Sequence, residues 1–268
     1  MPEPRTEDLV RYAFERGVAV LTLNRPERLN AWSPALERAY GRALDRAAAD
    51  PQVGAIVVTG AGRAFCAGAD AAVLREYGQG TRPKANSLPR PQTEFEPAVP
   101  KPVIAAINGP CVGIGLIRAL LCDVRFAAED AYVSTIYARR GLVAEHGSSW
   151  LLPALVGRSV ASDLLLSARR VGAAEAHAMG LVNRVVAGPV LEAAVDYAAD
   201  IAANCAPVAL AVIKEQLWMD VKEPLRSAYE DSERRSQLRY DSPDFVEGVT
   251  AWRDKRPPRF VPLGPADR

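Results

Sequence analysis

Short runs of branched apolar residues alternate with amphipathic stretches over the first two thirds of the chain. After a polar leader, Val18-Ala19-Val20-Leu21-Thr22-Leu23 has the alternation and branching of a strand, and Asn24-Arg25-Pro26-Glu27 breaks it. Ser33-Pro34 then places a capping serine before a proline at the first helical position, and Leu36, Tyr40, Ala43, Leu44 and Ala47 recur at helical spacing to Asp50. Ala55-Ile56-Val57-Val58-Thr59 is a continuous apolar run of the kind buried in a parallel sheet. The alternation returns with a strand at Val103-Ile104-Ala105-Ala106-Ile107, a small-residue helix from Gly113 to Leu121, and a strand at Asp123-Val124-Arg125-Phe126-Ala127. Such a succession predicts a layered α/β core.

Two stretches depart from that rhythm. Residues 77 to 101 hold Gly78, Gly80, Pro83, Pro89, Pro91, Pro97 and Pro100, a composition that breaks regular structure and predicts a surface segment, either a lid over a site or a plain solvated loop. From Val190 onward the pattern is helical without strands, over residues 190 to 204, 207 to 220, 224 to 240 and 243 to 253. The expected organisation is an α/β core over residues 1–190 and a helical region over 191–268. The latter is short for an independent core and should pack on the first part or on a neighbouring subunit.

Composition narrows the chemistry. Thirty-three basic against 32 acidic residues leave a formal charge of +1, which gives no general drive toward nucleic acid or an anionic membrane. No stretch approaches the roughly 18 apolar residues of a membrane span. Met1-Pro2-Glu3-Pro4-Arg5 carries no basic-then-apolar leader, so a cytoplasmic protein is expected. With only His146 and His177 in the chain, a multi-histidine metal centre cannot form within one subunit, and no metal site is expected. Cys66, Cys111, Cys122 and Cys205 show no CxxC pairing and read as buried free thiols.

Two glycine-rich turns follow strands: Gly60-Ala61-Gly62-Arg63-Ala64-Phe65-Cys66-Ala67-Gly68-Ala69-Asp70 and Asn108-Gly109-Pro110-Cys111-Val112-Gly113-Ile114-Gly115. Each leaves backbone N–H groups unpaired before a helix, and two side by side could hold one oxyanion. Neither matches a GxGxxG or phosphate-loop pattern, which disfavours a nucleotide cofactor.

Asn24-Arg25-Pro26-Glu27-Arg28-Leu29-Asn30-Ala31, Ala64-Phe65-Cys66-Ala67-Gly68-Ala69-Asp70 and Lys101-Pro102-Val103-Ile104-Ala105-Ala106-Ile107-Asn108-Gly109 resemble the enoyl-CoA hydratase/isomerase (crotonase) superfamily. The resemblance continues through Cys122-Asp123, Ala173-Ala174-Glu175-Ala176, Gly180-Leu181-Val182-Asn183 and Ser242-Pro243-Asp244-Phe245-Val246-Glu247-Gly248, in the family's order. It implies an α/β fold, the crotonase spiral of ββα units, with a C-terminal helical trimerisation region, and a homotrimer or a hexamer built as a dimer of trimers. It implies an acyl-CoA thioester as substrate, so that coenzyme A arrives as part of the substrate and no separate cofactor is expected.

By the same resemblance, an enolate-like oxyanion would be held by the backbone N–H groups of Ala67 and Ile114, fixed donors worth about 3–4 kcal/mol each. Ile114 stands where the family has glycine. Coenzyme A would meet Arg28, the turn Ala67-Gly68-Ala69-Asp70, and Lys255 and Phe260 in the C-terminal tail. The two glutamates of a hydratase fall at Ile117 and Tyr137, which would instead line the acyl pocket. Isoleucine transfers no proton, and tyrosine with an ordinary pKa of about 10 is a poor base. Glu145 falls where Δ3,Δ2-enoyl-CoA isomerases of the family carry their single catalytic glutamate, and one carboxylate suffices for double-bond isomerisation. Its neighbour His146 is the second candidate catalytic group, able to orient Glu145, to transfer a second proton, or to support C–C hydrolysis of a β-diketone. His177 reads as structural. Arg139 and Arg140 either pair with carboxylates or line the acyl pocket. Three alternatives stay open: hydration of a 2-enoyl-CoA through Glu145 and His146, acyl-CoA binding without catalysis, and β-diketone cleavage.

Overall fold

The computed structural model describes residues 9–78, 95–240 and 242–262. Strands β1 (Val10–Glu15), β2 (Val18–Leu23), β3 (Ala55–Gly60), β4 (Val103–Ile107), β6 (Val124–Ala128) and β9 (Arg184–Val186) form one sheet in the order β1-β2-β3-β4-β6-β9. Only the β1–β2 pair is antiparallel. The register aligns Val20 with Val57, Val57 with Ile104, and Ile104 with Val124. Strands β5 (Cys111–Val112), β7 (Tyr132–Ser134) and β8 (Val171–Gly172) make a second, smaller sheet.

The central strands are apolar on both sides because helices cover both faces. Ala19, Leu21, Ile56, Val58, Ala105 and Ile107 share one core with Leu36, Tyr40 and Leu44 of helix α1 (Pro34–Ala49). Val18, Val20, Val57, Ile104 and Ala106 pack on the other side against Val190, Ala194, Val195 and Ala198 of helix α7 (Val190–Asn204). The shift to helices at Val190 is therefore no change of core: the first helix of the expected C-terminal region belongs to the sheet. Ser33 caps α1 by accepting from Leu36 N, with Pro34 at the first position, as the sequence pattern predicts.

The polar leader needs correction, since it contains β1. That edge strand buries Val10, half-buries Tyr12 against the core and exposes its other residues, so its sequence carries little apolar signal. The reading of residues 77 to 101 as surface fails at its end. Phe95 and Glu96 of the short helix α3 (Phe95–Ala98) are buried, and Glu96 Oε1 accepts from Tyr40 Oη at 2.9 Å. The part of that segment at residues 79–94, where a lid or a solvated loop is expected, lies outside the described residues. Of the cysteines, Cys66, Cys111 and Cys122 are buried free thiols as expected, but Cys205 is exposed.

The remaining elements bring the site together. Helix α2 (Ala71–Gly78) follows the first glycine-rich turn, and helix α4 (Ile114–Leu121) follows the second. Helix α5 (Ser148–Ser167) and the short helix α6 (Ala173–Ala178) come before β9. Helices α8 (Pro207–Met219), α9 (Lys222–Arg239) and α10 (Pro243–Arg253) close the chain. Asp123 anchors α8 by accepting from Lys214 Nζ at 2.7 Å and Trp218 Nε1 at 3.2 Å, while also accepting from Val103 N. Helix α9 packs on α5, and α10 packs on α2 and on a 3-10 turn at Tyr137–Arg140. That approach requires glycine: a Cβ on Gly248 would stand 2.6 Å from the Arg140 carbonyl carbon. Helix α8 leaves Val208, Leu217 and Met219 exposed. Among the described residues, no single helix is long and apolar enough to cross a membrane.

Candidate active site

The turns after β3 and β4 meet at the carboxyl ends of the parallel strands, where open α/β sheets offer a crevice. Val112 N donates to Cys66 O at 2.9 Å and Cys66 N to Pro110 O at 3.1 Å, which zips the two turns together. A Cβ on Gly115 would lie 2.5 Å from Cys66 O, so only glycine admits the first turn of α4 this close. Around this junction lies a cavity of about 460 Å³, lined by Ala69 and Ile114 from the two turns and by Tyr137, Arg140, Glu145 and His146 opposite them.

The donor geometry corrects one expectation. Ala67 N–H is already spent on Leu29 O at 3.0 Å. Two residues on, Gly68 O accepts from Trp32 N and Asp70 N donates to Trp32 O, while Ala69 N–H between them has no acceptor among the described residues. Ala69 lines the cavity, as does Ile114, whose N–H opens α4 and likewise has no acceptor. Ala69 from the first turn and Ile114 from the second are thus available donors, and the Gly68 N–H beside Ala69 likewise has no acceptor among the described residues. The Ile114 side chain is itself buried, so the departure from glycine leaves the N–H in place.

Glu145 is the only carboxylate lining this cavity among the described residues. It sits just before α5, in a turn where His146 and Gly147 adopt φ of 55° and 72° and Ser148 N closes back on Glu145 O at 3.0 Å. Tyr240, at the end of α9, donates its hydroxyl to Glu145 Oε1 at 2.7 Å. Burial raises the Glu145 pKa above the ordinary carboxyl value, and the Tyr240 and Ser236 hydroxyls oppose that rise. A desolvated carboxyl of this kind is a stronger base once ionised.

The neighbouring groups are poor proton carriers at neutral pH. Burial and, secondarily, the Arg118 cation pull the His146 pKa down to about 3, and its Nδ1 is buried without a hydrogen bond. The ring is a neutral imidazole facing Tyr229, with centroids 6.4 Å apart. Burial and the charge of Glu145 push the Tyr137 hydroxyl well above the usual phenol range. Beneath them Arg118, almost fully buried, pairs with Glu96 at 3.2 Å.

Several expected contacts take other roles. Ile117 does not line the cavity; one turn into α4 its side chain points into the hydrophobic core and is fully buried. Asp70 is committed within the protein, bonded to Arg25 at 2.7 Å and capping α2 by accepting from Ala72 N. Arg28 lies outside the cavity, 3.9 Å from Asp70. Ala67 and Gly68 line the cavity beside Ala69. Lys255 lines a second cavity described below, and Phe260 is exposed and lines neither. His177 Nδ1 lies 2.9 Å from Val182 O, a structural contact. Tyr240 went unpredicted: it is 95 positions from Glu145, and no local pattern links the two.

The chain matches the enoyl-CoA hydratase/isomerase family over residues 13–262. It is 36% identical over 258 residues to a Rhodobacter capsulatus protein named "Probable enoyl-CoA hydratase", covering 94% of this chain and 97% of that protein. It is 33% identical to the 1,2-epoxyphenylacetyl-CoA isomerase of Escherichia coli, over 92% of this chain and 96% of that protein. The crystal structure of an enoyl-CoA hydratase from Mycobacterium avium subsp. paratuberculosis matches with a TM-score of 0.82 at 32% identity, covering 94% of this chain and 98% of that one.

Proposed function

This chain belongs to the enoyl-CoA hydratase/isomerase family and has its α/β fold, and on that premise we propose that it isomerises the double bond of a 3-enoyl-CoA, with Glu145 as the proton carrier. The observation that carries this reading is that one buried carboxylate, the only one lining the cavity among the described residues, shares it with unpaired backbone donors from both turns.

In this mechanism the thioester carbonyl sits at the N–H groups of Ala69 and Ile114. Ionised Glu145 removes a proton from the carbon next to the thioester; the pair of that C–H bond forms a double bond to the carbonyl carbon, the carbonyl π pair moves onto the thioester oxygen, and the original double bond conjugates with the new one. The two fixed donors stabilise that dienolate, typically by about 3–4 kcal/mol each. Protonated Glu145 then returns the proton to the γ-carbon, so atoms balance and Glu145 ends ionised. Tyr240 holds Oε1 and so fixes the orientation of the carboxylate that carries the proton. The raised pKa makes ionised Glu145 a stronger base and its protonated form easier to populate when it returns the proton.

Two-glutamate hydration lacks its groups here, since Ile117 is core and the Tyr137 hydroxyl is held protonated. The test is product analysis: with a 3-enoyl-CoA the protein should form the 2-enoyl-CoA and essentially no 3-hydroxyacyl-CoA. Dominant 3-hydroxyacyl-CoA would overturn the reading. The exposed apolar residues of α8 support self-association as a trimer or a hexamer, which light scattering would detect as a mass three or six times that of one chain.

A further inference from the structure

A second cavity of about 880 Å³ adjoins the first, and Arg139, Arg140 and Trp252 line both. Its walls come from α2, the 3-10 turn at Tyr137–Arg140 and α10 with the residues after it. It is rich in cations, and among the described residues no aspartate or glutamate lines it. Two of those cations are already neutralised within the protein: Arg256 by Glu247 and Arg253 by Asp254. Others are not. Arg139 donates Nε to Ser167 O and Arg75 to Ala71 O, both neutral acceptors, and Lys255 forms no ion pair among the described residues.

Arg140 is the central case. Its guanidinium lies 4.7 Å from the Trp252 ring centroid, stacked on the aromatic face, with no carboxylate partner among the described residues. Burial and the adjacent Arg139 draw its pKa down to about 10, so it is a partly desolvated cation beside a like charge. A partly buried cation without a counter-charge is costly, and a ligand anion is what would relieve it. A simple alkyl chain would leave the cost in place.

Taking the first cavity as the site of the thioester, as the proposed function has it, we infer that the second cavity receives the far end of the acyl group and that this end is anionic: the substrate is the coenzyme A thioester of a dicarboxylic acid, its terminal carboxylate held by Arg140 with Arg139 beside it. The planar fork of an arginine suits a carboxylate, and Trp252 fixes the plane in which it is offered.

The same cations could instead meet the phosphates of coenzyme A, and the test separates the two sources. Unreactive saturated thioesters are titrated in matched pairs by calorimetry: glutaryl- against pentanoyl-CoA, adipyl- against hexanoyl-CoA and suberyl- against octanoyl-CoA. The expected result is at least one pair in which the carboxylated thioester binds tenfold or more tightly. Arg140→Gln should bring that ratio close to one, and Arg140→Lys should retain part of it. If no carboxylated thioester binds more tightly than its neutral partner, the inference fails. It also fails if Arg140→Gln weakens both members of the pair by the same factor, which would assign the arginine to coenzyme A. Should Arg140→Gln fold poorly by circular dichroism, Arg139→Gln and the wild-type ratios carry the same decision. Wild-type binding of the neutral thioesters without discrimination leaves the isomerase reading intact, whereas binding of no thioester at all defeats both.

Discussion

Tyr240 Oη donates a 2.7 Å hydrogen bond to Oε1 of Glu145, joining the end of α9 to the turn before α5 across 95 positions of sequence. The bond holds a buried carboxylate in one orientation while lowering a pKa that burial has raised. Without the phenol, the ionised form loses a charge-assisted partner worth about 1.5–3 kcal/mol. Tyr240→Phe should therefore move the acid limb of kcat/KM upward by about 1–2 pH units and lower the plateau rate. An unchanged limb in a pH–rate profile would show that Tyr240 does not position Glu145.

The buried carboxyl also sets a direction for stability against pH. Its folded pKa lies above the ordinary 4.5, so its stabilising contribution is complete below that value and is lost as pH rises through the folded pKa. Glutamine never ionises and can still accept from Tyr240. The melting temperature of Glu145→Gln should exceed that of wild type by an amount that grows between pH 5 and pH 8. Thermal melts across that range check the sign.

Glu233 provides a second reading of the same charge. Burial first, then Glu145 and Glu37, raise its pKa to about 7. Replacing Glu145 by glutamine removes one of those negative charges, so the Glu233 titration should move down toward the ordinary carboxyl range. Carbon-13 detection of the side-chain carboxyls follows it directly.

The Ile114 donor can be removed without deleting a side-chain function. Ile114 is the first residue of α4, the helical position where proline is best tolerated because its N–H has no helical acceptor. Ile114→Pro should keep the fold by circular dichroism and lower kcat about 10²–10³-fold, the usual cost of one oxyanion donor. A smaller loss than tenfold in the folded variant would remove Ile114 from the mechanism.

Arg118 and Glu96 form a nearly solvent-free ion pair 3.2 Å apart under the site, with Tyr40 on the other carboxylate oxygen. Removing one partner strands a buried charge, so Glu96→Ala should cost about 3–5 kcal/mol in urea-denaturation free energy. Replacing both Arg118 and Glu96 by apolar residues of similar volume should recover most of it.

What the sequence revealed depended on periodicity and length. Ala55 to Gly60 and Val103 to Ile107 are buried on both faces, and their unbroken apolar runs announced them. Helices α7 to α10 were visible from their length and from apolar residues at helical spacing. The edge strand β1 and the two- and three-residue strands of the small sheet offered too few buried positions to form a pattern. At the site, the place of Glu145 in the cavity wall agrees with its register in a resembling motif, but the backbone donor was not legible. Ala67 and Ala69 are chemically identical and two apart, and only the 3.0 Å bond from Ala67 N–H to Leu29 O decides between them. Ile117 failed as a pocket residue because helix α4 turns that position into the core. Tyr240 belongs to another element, and a contact of that range leaves no trace in local spacing.

Glu145 as the carrier of the migrating proton is tested most directly by conversion of a 3-enoyl-CoA, 3-hexenoyl-CoA or its terminally carboxylated counterpart, to the 2-enoyl isomer by wild type and Glu145→Gln. Wild type should turn over and the folded glutamine variant should lose at least a thousandfold in kcat, roughly 4 kcal/mol of transition-state stabilisation. Equal rates in the two proteins would contradict the mechanism.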